Sequence, residues 1–264
     1  MYDYQLISSL LDDLLKDIQE FRRVASVDVK EAYEMVLATM IDGVYGAQLK
    51  RTDNPILYKM SEKARRICKI ALERLRQGLY GPWICEALRE MIDLATSQPN
   101  RRHVIICDAL GIHDVLLLTY ELDGRVRPLF AVNAGGMTKT YEYMVKQCPA
   151  LRGTFIGAFD EPSLTLLARA VAQRVDASGY ERYDDFDRSI HSTVTKDFKE
   201  VAALLHRTFE RLLSKVKAYL NAGFTVLVLA DHGYDIDPDT FTLYHGWGHT
   251  GTSLSILAPL VVIK

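Results

Sequence analysis

A chain of 264 residues, 48% hydrophobic and 25% charged, holds enough apolar sequence for a large core and one or two domains, which excludes a disordered or fibrous protein. The formal net charge of -2 gives no global field for nucleic acid, so any anionic partner must be recognised locally. No stretch approaches the roughly 18 to 20 uninterrupted apolar residues of a membrane span, and Met1-Tyr2-Asp3-Tyr4 lacks the basic-then-apolar start of a signal peptide; no membrane is expected, and the cytoplasm is the expected compartment.

From Tyr4 to about Ala95 the pattern is helical throughout: Leu6, Leu10, Leu11, Leu14, Leu15 and Ile18 recur at helical spacing, as do Ile67, Ile70, Ala71 and Leu75. Turn formers at Asn54-Pro55, Gly78 to Pro82 and Thr96 to Asn100 punctuate and end this region, placing a boundary near residue 100. Beyond it, strands are expected at His103–Cys107, Val126–Val132, Thr154–Phe159, Phe224–Ala230 and Pro259–Ile263, with helices at Tyr141–Lys146, Ser163–Val175 and Lys196–Leu220. Strands alternating with helices imply right-handed crossovers and a mostly parallel sheet covered on both faces, with chemistry at the carboxyl ends of the strands. The expected organisation is a helical region over residues 1–100 and an α/β domain over 101–264. The four cysteines, Cys68, Cys85, Cys107 and Cys148, form no Cys-x-x-Cys pair and read as buried free thiols.

Five places can carry chemistry. Asp108 follows the strand Val104-Ile105-Ile106-Cys107; it can face a cation, or cap a helix running from Ala109 to Leu118. Asn133 to Tyr141 is a glycine-containing turn opening a helix, with Thr138, Lys139 and Thr140 where free N–H groups favour a phosphate-like anion; either threonine can equally be an N-cap. Asp187 and His191 lie four residues apart, so a helical turn puts both on one face as a ligand pair, although a solvated acidic loop is the commoner meaning of such spacing. Asp231-His232-Gly233 ends the apolar run Phe224 to Ala230, as a pair of metal ligands or as an ordinary strand-to-turn exit. His245 and His249 share a glycine-rich loop near the C-terminus, and either is a possible ligand.

Read in order, Asp108, Thr138-Lys139-Thr140, Asp187-x-x-x-His191, Asp231-His232 and His249 resemble the metal-site signature of the alkaline phosphatase superfamily. The tail from Asp231 through His249, Ser253-Leu254 and Pro259 looks most like the PglZ-domain branch. The similarity covers about residues 103 to 264, and the helical region matches no family. It implies a three-layer αβα fold with a mostly parallel central sheet after an all-helical region. It also implies two divalent ions, zinc or manganese. Asp187, His191 and His249, or His245 in its place, would hold one; Asp108, Asp231, His232 and a threonine would hold the other. The nucleophile implied is Thr140, with Thr138 as alternate, and Lys139 would hold a phosphoryl oxygen. Met137 replaces a proline common in the motif, and Cys148-Pro149 stands where small residues are usual.

The activity expected is therefore metal-dependent hydrolysis of a phosphoester, mono- or diester, on a phosphorylated substrate that includes nucleotides or nucleic acid among its candidates. The alternative is a PglZ-like interaction protein of a phage-defence type, binding a protein partner through its helical region. That region carries a basic stretch, Lys59, Lys63, Arg65, Arg66, Lys69, Arg74 and Arg76 against Glu62 and Glu73, which ordinarily is only a solvated helix face. A mutase or phosphotransferase is disfavoured because the segment from Thr140 to Asp187 is too short for a cap domain.

Overall fold

The computed structural model describes residues 2–46, 54–77, 81–133, 138–154, 163–193, 195, 197–246 and 254–264. Four helices come first: α1 (Tyr2–Val24), α2 (Val29–Tyr45), α3 (Pro55–Arg76) and α4 (Gly81–Thr96). Helix α2 starts where the Asp28 carboxylate accepts the Glu31 N–H at 2.8 Å, and it stops at Gly46, whose φ of 72° no β-carbon opposes. The α/β portion follows as β1 (Arg101–Cys107), α5 (Ile112–Leu122), β2 (Val126–Val132), α6 (Thr138–Lys146), α7 (Ser163–Arg174), β3 (Gly179–Tyr183), α8 (Asp185–Ser192), α9 (Phe198–Asn221), β4 (Phe224–Ala230), a short hairpin of β5 (Asp235–Ile236) and β6 (Leu243–Tyr244), and β7 (Leu257–Ile263).

The main sheet has five strands in the order β2-β7-β4-β1-β3. It is mixed, which corrects the mostly parallel arrangement expected from the sequence: β1 pairs parallel with β3 and β4, while β7 pairs antiparallel with β4 and β2. The reversal follows from the connection. A parallel return needs a crossover, usually a helix, and between β4 and β7 the described residues contain only the β5–β6 hairpin. Four strands still share one direction, so their carboxyl ends lie along one edge.

Alternation along each strand divides the core in two. Ile105, Cys107, Val226, Val228 and Ala230 share one core with α1, α2, α5 and α9, with α3 packed outside on α1 and α2, whereas Val104, Ile106, Leu227 and Leu229 share the other with α4, α6 and α7. The N-terminal helices therefore supply part of both covering layers: α1 and α2 pack on α5, α2 also on α9, and α4 on β2 and β7.

Three other expectations meet the structure here. The strand expected at Thr154–Phe159 lies almost wholly outside the described residues, and β3 was missed. Its residues Tyr180, Glu181 and Arg182 are polar and partly exposed, as an edge strand's usually are. Asp108 does not cap α5; Gly111 holds that position. Cys85 and Cys148 are joined in a disulfide, a correction to four free thiols: α4 brings their Cα atoms to 5.0 Å, within bridging range, while Cys68 and Cys107 remain free and buried.

Candidate functional site

The shared strand edge gathers the acidic and imidazole groups. Asp108 follows β1, and its backbone is stitched in place: its N–H donates to the Tyr183 carbonyl at 2.9 Å and its carbonyl accepts the Asp187 N–H at 3.2 Å. The next residue, Ala109, is fully buried at φ 64°, a left-handed conformation that costs a non-glycine residue about 1–3 kcal/mol and tends to persist at functional sites. Asp231 and His232 follow β4. The Asp231 carbonyl accepts the Asn133 amide at 2.8 Å, and the His232 carbonyl accepts the Leu110 N–H at 3.0 Å. Thus β1, β2 and β4 are tied together at the point where their side chains converge.

Two trios result. In the inner one, His232 Nε2 lies 3.7 Å from Asp108 Oδ1 and 3.5 Å from Asp231 Oδ2. Asp231 is 0% and His232 1% exposed. His232 is oriented by its neighbour: Nδ1 lies 2.8 Å from the Gly233 carbonyl, which only accepts, so Nδ1 donates there and Nε2 is the nitrogen turned toward the carboxylates. Burial raises the Asp231 pKa and nearby Asp108 adds to the rise; His232 and the hydrogen bonds from Thr138 and the Ala109 N–H oppose it. In the outer trio, α8 presents Asp187 and His191 one turn apart, with Asp187 Oδ1 to His191 Nε2 at 3.2 Å. His245, just after β6, completes it at 3.4 Å from Asp187 Oδ1 and 3.2 Å from His191 Nε2. The imidazoles of His232 and His245 stack at 4.5 Å between centroids, so the trios are adjacent.

These spacings fit a cation. Ligand atoms at about 2.0–2.1 Å around a tetrahedral zinc-like ion stand roughly 3.3–3.4 Å from one another, as the outer trio does. Oxygen and neutral imidazole donors suit zinc, manganese and several other divalent ions equally.

Around the trios, Thr138 opens α6 and donates its hydroxyl to Asp231 Oδ2 at 2.6 Å. Lys139 beside it is exposed. The Thr140 backbone belongs to α6, but its side chain lies outside the described residues, as do Gly135, Gly136, Met137 and His249. Of each alternate pair, the described member, Thr138 or His245, is the one seen at the site. Arg182, near the end of β3, was missed by sequence reasoning; its guanidinium meets Asp108 Oδ2 at 2.7 Å and also pairs with Asp184. Only recognition of β3 as a strand beside β1 could have found it. The basic stretch divides: Lys63 pairs with Asp17 and Arg65 donates to the Gly43 carbonyl, leaving Lys59, Arg66, Lys69 and Arg76 exposed on α3, while the Arg74 side chain lies outside the described residues. Among the described residues no helix is long and apolar enough to cross a membrane.

No protein-family model matches this chain, and no curated protein matches it.

Proposed function

We propose that this protein is a metal-dependent phosphoester hydrolase working at the carboxyl edge of its sheet. The observation that carries the reading is the convergence of Asp108, Asp231 and His232 with Asp187, His191 and His245 as two adjacent donor sets. Six ligand-type side chains from four segments are hard to explain as packing, because of the two inner carboxylates Arg182 pairs only with Asp108, and fully buried Asp231 is costly to hold ionised unless a cation compensates. The fold proposed with this activity is alkaline-phosphatase-like, with β7 as its reversed strand.

Two divalent ions held there would supply Lewis-acid stabilisation of the phosphoryl group and lower the pKa of a bound hydroxyl. The protein's own groups do the rest. Thr138 Oγ1 attacks phosphorus in line, and its proton is already directed at Asp231 Oδ2, which accepts the hydroxyl at 2.6 Å. The Thr138 Oγ1–P bond forms as the ester O–P bond breaks, and water then hydrolyses the phosphothreonine. Arg182, beside Asp108, and the N–H groups of the first turn of α6 would bind the nonbridging oxygens. Thr140, the nucleophile expected from the resemblance, becomes the alternate in this reading.

The test is metal analysis of the purified protein together with turnover of a chromogenic phosphomonoester and phosphodiester. Bound divalent metal with turnover of either ester, lost in Thr138→Ala, is the expected result. Absence of both metal and turnover overturns the reading; loss in Thr140→Ala alone moves the nucleophile.

One observation favours a binding role for the helical region: exposed Lys59, Arg66, Lys69 and Arg76 share a face of α3 with Tyr58, which is 65% exposed. Nucleic-acid binding that weakens steeply with salt would support it, and no binding at low salt would remove it.

A further inference from the structure

Two buried carboxylates lie behind the site and belong to neither trio. Asp114 and Asp235 are both 0% exposed, an expensive placement unless donors surround them. Asp114 on α5 accepts the Tyr33 hydroxyl at 2.6 Å, the Tyr234 hydroxyl at 2.9 Å and the Gly111 N–H at 2.8 Å. His113 Nε2 closes the group on the Tyr234 hydroxyl at 2.5 Å. Asp235 accepts the Tyr45 hydroxyl, the Leu254 N–H at 2.6 Å and the Ser255 N–H at 3.3 Å.

The positions of the partners give these networks a purpose. Tyr234 and Asp235 come directly after His232-Gly233, where the chain leaves β4; Leu254 and Ser255 sit where it returns to β7, and His245 lies on the excursion between. The two ends touch: the Gly233 N–H donates to the Ser255 carbonyl at 3.0 Å. A β-carbon on Gly233 would stand 2.6 Å from the Leu254 carbonyl oxygen, so no larger residue lets the ends approach so closely. Both tyrosines that reach in from outside, Tyr33 and Tyr45, come from α2. They are twelve residues apart, about 18 Å along a helix, so one rigid element holds the excursion directly through Tyr45 and Asp235 and indirectly through Tyr33 and Asp114, which accepts the Tyr234 hydroxyl. Burial beside a carboxylate keeps both phenols protonated, and therefore donating, at working pH.

We propose that α2 is a positioning element of the metal site, and that the Tyr45–Asp235 contact sets where His245 stands against Asp187 and His191. This rests on the two-ion reading above. Sequence separation hid the link, since Tyr45 and Asp235 are 190 residues apart. The N-terminal helices are thus a working part of the site and not an appendage to it. Among the described residues Tyr45 touches no ligand atom, and it acts through the backbone that carries His245.

The test is a cobalt(II) titration of the full-length protein followed by visible absorption, comparing wild type with Tyr45→Phe. Removing partners that orient metal ligands typically costs about 10- to 100-fold in metal affinity. Tyr45→Phe is expected to weaken one of two cobalt ions by that amount and change its absorption bands while the other ion is bound as before. In the metal-free variant, amide hydrogens of Leu254 and Ser255 are expected to exchange faster than in wild type. Tyr120→Phe serves as control: it removes a hydroxyl reaching Val27, outside both networks, and leaves both ions unchanged. If Tyr45→Phe does not fold, Asp235→Asn, which keeps an acceptor for Leu254, takes its place with the same expected loss. Wild-type affinity for both ions in Tyr45→Phe overturns the positioning role and leaves the two-ion reading standing; a wild type that takes up no cobalt overturns the two-ion reading itself. Equal weakening of both ions, as a merely structural role would give, also overturns the proposal.

Discussion

The two donor trios are built differently. Asp108, Asp231 and His232 stand at strand ends, nearly buried, with their backbones hydrogen-bonded to neighbouring strands, and Arg182 and Thr138 already contact the carboxylates. Asp187, His191 and His245 stand on an eight-residue helix and a loop, and the His191 side chain is 65% exposed. The inner set is fixed by the sheet, whereas the outer depends on how a loop is held. On the two-ion proposal the inner ion would be the permanent one and the outer the exchangeable one, because preorganisation determines how much ordering each ion must itself supply.

The sharpest way to break this contrast is Asp231→Ala, expected to cost the inner ion more than the roughly 100-fold loss of a second-sphere change, and with it esterase turnover. Calorimetric metal binding checks it, and retention of both ions would place the inner site elsewhere. Next in size is Gly233→Ala. The added carbon meets two carbonyl oxygens, from Leu254 and Leu257, and overpacking of this kind costs roughly 1–3 kcal/mol. A lowered urea midpoint measures it; an unchanged midpoint would mean the inner backbone gives way more easily than its hydrogen bonds suggest.

A third prediction extends the buried-against-exposed contrast to pH. His103, His113 and His206 are all held below the ordinary histidine value of 6.5, each chiefly by burial. The unfolded chain then takes up protons that the folded chain resists, so their stabilisation is complete above 6.5 and is lost as pH falls below it toward the lowered folded values. Thermal midpoints should drop between pH 7 and 5, and His113→Gln should flatten the slope; an unaltered slope would count against His113. The smallest expected effect on stability is that of His191→Ala, within about 0.5 kcal/mol as for other exposed sites, while the outer ion weakens measurably. A large fall in thermal midpoint would show that His191 supports the fold.

Much of this was legible in order along the chain. Periodicity placed the helices after Tyr141, Ser163 and Lys196 and located the apolar runs of β1, β2, β4 and β7, because burial on both faces leaves an unmistakable apolar signal. Asp108, Asp187, His191, Asp231 and His232 were readable as ligand-type residues because strand ends and one helical turn are local features. Arg182 was not, since an edge strand half in water has no such signal. Neither was the Cys85–Cys148 bridge, which depends on α4 lying across the sheet beside the end of α6.

By itself, then, the sequence determined most of the helices and the buried strands, though not β3, and which residues are of a type that can bind a cation, since these follow from side-chain type and short spacing. Only the tertiary structure decided that β7 runs against its neighbours, that Thr138 and His245 stand at the donor sets, and that Tyr33 and Tyr45 reach Asp114 and Asp235. Each of these depends on contacts between segments tens to hundreds of residues apart. Their energy appears only once the chain has closed those loops, so no local pattern records it.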